Sequence, residues 1–138
     1  MLIFGLPVGL WIGRLGCFFI FDHPGRETTF FLGQMYLDGV VRHNHGLYLS
    51  LNGLFLTILF VFLWHRIARP RIGMYLAVFG VVYGGVRFFL DFFRATDLAA
   101  VDSRFFGLTF AQYLSVVCIV AGVALWYAIS RKHSERKE

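Results

Sequence analysis

The sequence predicts an all-α integral membrane protein, with about four transmembrane helices and an external loop cap between the first and second. Three observations carry this reading: 58% of the 138 residues are hydrophobic and only 15% are charged, the mean hydropathy is +0.68, and long apolar stretches recur along the chain. Soluble chains are about 25% charged, and so apolar a composition in water would leave large patches unburied. The 17 Phe, 15 Gly and 3 Trp suit closely packed membrane helices with aromatic anchors. A chain of this length makes one domain.

Crossing a hydrocarbon core of about 30 Å at about 1.5 Å per residue takes about 20 apolar residues. Four stretches meet that length: about 1–21, with Arg14 as its single charge; 46–64, with none; about 72–93, with Arg87 deep inside it; and 105–130, with none. Lipid offers no partners to backbone amides, so each is expected as a helix. Together they form a transmembrane helical domain over 1–130, followed by a basic cytoplasmic tail over 131–138. The first stretch does not read as a signal peptide, since it lacks a basic start and a small-residue cleavage site and carries Arg14 within its apolar run.

Orientation follows from the short loops. Arg66, Arg69 and Arg71 lie after the second stretch, and Arg131, Lys132, Arg136 and Lys137 lie in the tail; both segments are expected on the cytoplasmic side. Residues 22–45 and 94–104, with Arg26, Arg42, Arg94 and Arg104, then lie outside. The polar run from Asp22 to His45, punctuated by Pro24, Gly25, Gly33 and Gly39, reads as the cap, a loop with a short strand or hairpin.

The formal charge of +5 does not indicate a nucleic-acid partner, because the cations are scattered between apolar stretches instead of forming a groove. Cys17 and Cys118 both sit in apolar runs and read as small buried side chains. No metal-ligand spacing is present, and no metal or other cofactor is expected.

Ionisable groups inside a membrane segment cost at least about 2.5–3.5 kcal/mol to insert, so they pair or line a polar cavity. Arg14 lies seven residues before Phe21 and Arg87 six before Phe93, which puts both about 10 Å below the outer surface. Tyr83, Arg87, Asp91 and Arg94 share one helical stripe. Two guanidiniums at matched depth form a fork for a phosphodiester, so the expected ligand is an anionic phospholipid. Snorkelling, or structural pairs of Arg87 with Asp91 and of Arg14 with Asp22 or the membrane interface, explains the same charges without a ligand. His43 and His45, beside Arg42 and Tyr48, could supply a general base, as could His23 beside Asp22; an interfacial histidine without a role is the plainer reading of each. Gln112, Tyr113 and Ser115 are expected to hydrogen-bond across the bundle.

Four motifs then point to one family. GRLGCFFIFDHPGR (13–26) resembles the signature GRxGNFxNxExxG of prolipoprotein diacylglyceryl transferases, and RHNHGLYLSL (42–51) resembles its RHPxQLYEAL. YGGVRFFLDFFR (83–94) resembles YGxxRFxxEFFR, and GLTFAQYLSV (107–116) resembles GLTxxQxLS. Departures stand at Cys17 and Ile20 for Asn, Asp22 for Glu, and Leu49 for the Glu of LYE. The resemblance covers residues 13 to about 122 and corresponds to the C-terminal half of the family; the other half normally carries an HGG-type motif with a catalytic histidine.

The resemblance implies transfer of the diacylglyceryl group of phosphatidylglycerol to the lipobox cysteine thiol of a prolipoprotein, in a bacterial cytoplasmic (inner) membrane. In that reading Arg14 and Arg87 hold the lipid phosphate, and Arg87 and His43 act in catalysis. Tyr83, Asp91, Asp22, Tyr48 and Arg94 support them. The partners are phosphatidylglycerol, the prolipoprotein signal peptide, the lipid bilayer and a missing N-terminal half. Two other classes stay open: a non-catalytic phospholipid-binding or assembly subunit, and a small anion transporter or channel subunit, which would carry charges at several depths.

Overall fold

A computed structural model describes residues 2–67, 71, 73–97 and 103–134. Arg69 of the basic loop, and Arg136 and Lys137 of the tail, lie outside the described residues. The order is a 3-10 turn (Leu2–Phe4), α1 (Gly5–Phe19), β1 (Pro24–Glu27), β2 (Gln34–Met35), β3 (Val41–Asn44), α2 (His45–Arg66) and α3 (Met74–Leu90). A 3-10 turn (Asp91–Phe93), β4 (Arg104–Phe105), β5 (Leu108–Thr109) and α4 (Phe110–Ser134) complete it.

Among the described residues, three helical segments are long and apolar enough to cross a membrane: His45–Arg66, Met74–Phe93 and Phe110–Lys132, with mean hydropathies of 2.0, 1.6 and 2.0. The first helix is shorter than the sequence suggests. Gly5–Phe19 has 15 residues, about 22 Å of rise. It stops because Phe21 and His23 take left-handed conformations, with φ of 55° and 59°, which end a right-handed helix. The fourth stretch divides as well, since residues 104–109 make a small hairpin before α4 begins.

Two helix pairs organise the bundle, α1 with α2 and α3 with α4, and small residues let each pair close. A Cβ on Gly46 would lie 2.5 Å from the Phe18 amide nitrogen, and one on Gly53 would lie 2.5 Å from that of Trp11. Between them the Ser50 hydroxyl donates to the Trp11 carbonyl at 3.0 Å. On the other pair, a Cβ at Gly84 or Gly122 would meet the carbonyl oxygen of Ser115 or Ala77 at 2.8 Å. Without a solvent-driven hydrophobic effect, this close backbone approach supplies the dispersion that holds membrane helices together.

One end of the bundle is an apolar cluster in which Phe4 meets Phe60 and Tyr75 at ring separations of 5.6 and 5.1 Å, with Leu56 and Met74 buried beside them. The other end is polar. There the segment read as a cap forms a three-stranded antiparallel sheet in the order β1-β3-β2. It docks on the end of α3 through a bridge between Gly25 and Arg94 and a hydrogen bond from the Ala95 amide to the Pro24 carbonyl at 3.3 Å.

Candidate active site

At the polar end, the α2 N-terminus is built by Asn44. Its side-chain oxygen accepts from the Leu47 amide at 3.1 Å, satisfying an otherwise open donor of the first turn. Its amide nitrogen donates to Gln34 at 2.9 Å and to the Phe18 carbonyl at 3.3 Å. One fully buried side chain therefore ties the cap, the end of α1 and the start of α2 together. Sequence reasoning passed over Asn44, although an Asn directly before an apolar helical run is a recognisable cap signal.

His43 precedes it on β3. The His43 ring nitrogen Nδ1 and the Tyr48 hydroxyl are 2.6 Å apart, so two residues of the RHNHGLYLSL motif touch. Burial holds the His43 imidazole below its usual 6.5, which leaves it neutral and able to accept a proton at neutral pH. This pair lines a cleft of about 430 Å3, together with Thr28, Phe30, Leu90 and Phe93. The Phe93 ring lies 5.3 Å from that of His43.

The arginines come from the neighbouring helices. Arg14 projects from α1 half-buried, with its nearest side-chain partner the Cys17 sulfur at 3.9 Å, a weak contact. Arg87 on α3 lies within electrostatic reach of Tyr83, Asp91, Arg14 and Arg94. The two cations therefore sense one another electrostatically. Two like charges brought together in a poorly solvated setting repel, and a bound anion relieves both.

Asp91 is buried to 1% exposure. It accepts from the Thr109 hydroxyl, and Arg94 sits 3.7 Å from its other oxygen. Thr109 and Gln112 form a reciprocal cap on α4: the Thr109 amide donates to the Gln112 side chain at 2.9 Å, and the Gln112 amide donates to the Thr109 hydroxyl at 3.2 Å. Gln112 also reaches the Phe88 carbonyl at 3.3 Å. The expected Gln112 contact across the bundle is present, with a helix cap added to it. Ser115 instead bonds within α4, to the Ala111 carbonyl at 2.7 Å, and the Tyr113 hydroxyl reaches the Phe105 carbonyl at 2.9 Å.

Asp22 departs from the expected pairing with Arg14. It sits 2.6 Å from His23 Nδ1 and accepts from the His23 amide, because the left-handed turn after α1 points it into the cap. Its charge reaches Tyr36, whose hydroxyl is pushed up to about 12 by burial and by Asp22, against an opposing effect of Arg42. His45 is 1% exposed, against the main chain of Phe93 and near Arg94, Asp91 and Arg87. Arg42, which the sequence marked only as a motif residue of the outer segment, turns out to be 4% exposed and bonded to both Asp38 and Asp97.

One end of the bundle therefore holds two arginines within electrostatic reach of one another and, beside Phe93, a neutral imidazole hydrogen-bonded to a phenol over an apolar cleft. No solved structure matches the chain. The family model described as prolipoprotein diacylglyceryl transferase matches residues 1–128. Among curated relatives, each called phosphatidylglycerol--prolipoprotein diacylglyceryl transferase, the Nitrosomonas europaea protein is 36% identical over 126 residues, covering 88% of this chain and 44% of its own. The Nitrosospira multiformis protein is 36% identical, covering 87% and 42%, and that of Erythrobacter litoralis 34%, covering 92% and 48%. The chain spans a little under half the length of these relatives. With the match running through all four motifs and nearly the whole sequence, the chain belongs to the prolipoprotein diacylglyceryl transferase family.

Proposed function

We propose that this protein transfers the diacylglyceryl group of phosphatidylglycerol to the lipobox cysteine thiol of a prolipoprotein. The contact of His43 with Tyr48 over the apolar cleft, with Arg14 in electrostatic reach of Arg87, carries the reading. The guanidiniums hold the lipid phosphate and stabilise the charge that grows on it as it leaves. His43, neutral and steadied by Tyr48, takes the thiol proton, since the thiolate is the attacking species. A sulfur–carbon bond forms at the glyceryl carbon, the carbon–oxygen bond to phosphate breaks, and glycerol phosphate departs. Asp91 and Tyr83 orient Arg87, Arg94 completes the Asp91 pair, and Asp22 supports the cap.

In this reading α1, with the turn before it, crosses the bilayer as a fourth and short span, and the strands face the outer side of a bacterial inner membrane. Arg66 and Arg71 after α2, and the basic C-terminal segment, lie in the cytoplasm.

A second reading is a non-catalytic phospholipid-binding subunit. It is favoured by Leu49, 2% exposed, at the position where the family motif carries a carboxylate. Purified protein in phosphatidylglycerol vesicles, given a lipobox peptide, separates the two by mass spectrometry. A thioether-linked diacylglyceryl product supports the transferase. Headgroup binding without product leaves the binding subunit, and neither binding nor product removes both.

A further inference from the structure

Arg42 spreads one guanidinium across three segments. Its Nε donates to Asp38 in the turn between β2 and β3 at 2.9 Å, and its two terminal nitrogens form a fork to Asp97 at 3.1 and 2.7 Å. The first of these also reaches the Gly25 carbonyl on β1 at 3.4 Å. Asp38 and Gly25 belong to the cap, whereas Asp97 lies three residues beyond Arg94, at the end of the arginine-bearing α3 segment. We propose that Arg42 is a positioning residue, locking the cap to the end of α3 and thereby fixing His43 relative to Arg87.

The strand geometry supplies the linkage. Successive side chains on a strand point to opposite faces, so Arg42 engages the Asp97 side while His43, next along β3, turns to Tyr48 and the cleft. The seam holds no slack. A Cβ on Gly25 would lie 2.7 Å from His43 Cβ and 2.8 Å from the Phe93 carbonyl oxygen. The main chain contributes the bond from the Ala95 amide to Pro24 and the Gly25–Arg94 bridge. Arg42 is buried while the Asp97 carboxylate is half-exposed; the bidentate fork adds geometric specificity to the attraction, and a lysine cannot reproduce it.

What Arg42 positions rests on the proposed function; the lock itself rests on geometry alone, and the experiment reads the two separately. Hydrogen exchange of the Ala95 amide reports the seam. Nitrogen resonances of His43, followed while dihexanoyl-phosphatidylglycerol is added, report whether His43 senses an occupied arginine site. In Arg42→Lys, and in the milder Asp97→Asn, Ala95 exchange is expected to rise about tenfold, the equivalent of one lost charge-assisted contact. The double variant adds little more, because both remove the same interaction. Lipid affinity stays within about twofold, since Arg14 and Arg87 are intact, while the His43 response is lost.

Unchanged Ala95 exchange in both single variants overturns the lock. Faster exchange with a wild-type His43 response overturns the positioning role and leaves a structural pair. If wild type shows no lipid-induced His43 response, the positioning role falls together with the proposed function, and the Ala95 data still decide the lock.

Discussion

Two guanidiniums within electrostatic reach of each other are an unusual choice for a membrane interior, and what each can do depends on shape as well as charge. A lysine keeps the charge but presents a point donor in place of a planar fork. Arg14→Lys and Arg87→Lys are therefore each expected to weaken phosphatidylglycerol headgroup binding by on the order of 1.5 kcal/mol, roughly tenfold, as followed by phosphorus resonance in bicelles. Unchanged affinity in both would contradict the site. Asp91 is a different kind of residue, buried and shared between Thr109 and Arg94. Asp91→Ala takes away the acceptor of the Thr109 hydroxyl and a carboxylate near Arg94 and should cost about 3 kcal/mol, read as a lower denaturation midpoint in detergent, whereas Asp91→Asn should recover part of it by keeping an acceptor for Thr109.

Helix by helix, stability depends on where backbones meet. Gly53 has no room for a methyl group because the Trp11 main chain is already there, while nothing lies within 4 Å of a Cβ at Gly13. Gly53→Ala is expected to prise α1 from α2 at a cost of about 1–3 kcal/mol. Gly13→Ala, on the open side of the same helix pair, should be neutral or slightly stabilising through helix propensity. Comparison of their thermal midpoints tests the assigned packing face; equal losses would mean that α1 is rotated from the position described. Thr109→Ala removes the α4 cap and the Asp91 partner together. Its loss should exceed the roughly 1 kcal/mol of a cap alone, and a double variant with Asp91→Ala should be less than additive.

For the whole molecule, the titrating groups of the cap set how acid acts on it. Burial holds His43 below 6.5, so its contribution is complete above 6.5 and is lost as pH falls through the lower folded value, where the unfolded chain binds the proton first. Asp38 is held below 3.8 by the Val40 amide and the Arg42 guanidinium, and Asp97 chiefly by its Arg42 fork. Their contribution is complete above 3.8 and disappears as pH drops through their depressed values. Denaturation midpoints followed downward from neutral pH should therefore fall in two steps, one below 6.5 and one below 3.8. His43→Gln should diminish the upper step and leave the lower one; an upper step unchanged by His43→Gln would assign it wholly to other groups.

Composition, the apolar run lengths and four ordered motifs were enough to settle the membrane-helical class and the family, because the cost of exposing backbone or charge to lipid is written into each segment separately. The candidate arginines were legible for the same reason: a charge within an apolar run is conspicuous without any knowledge of its neighbours. The early stop of α1 was hidden, since it depends on two left-handed residues, Phe21 and His23, in a run that still reads as apolar up to Phe21. Asp91 reaching Thr109 18 residues away and Arg42 bridging to Asp97 across 55 residues were decided by tertiary structure alone. A pairwise contact between distant residues has no local period or spacing, and it comes into being only when the helices and the sheet have brought the two side chains to the same place.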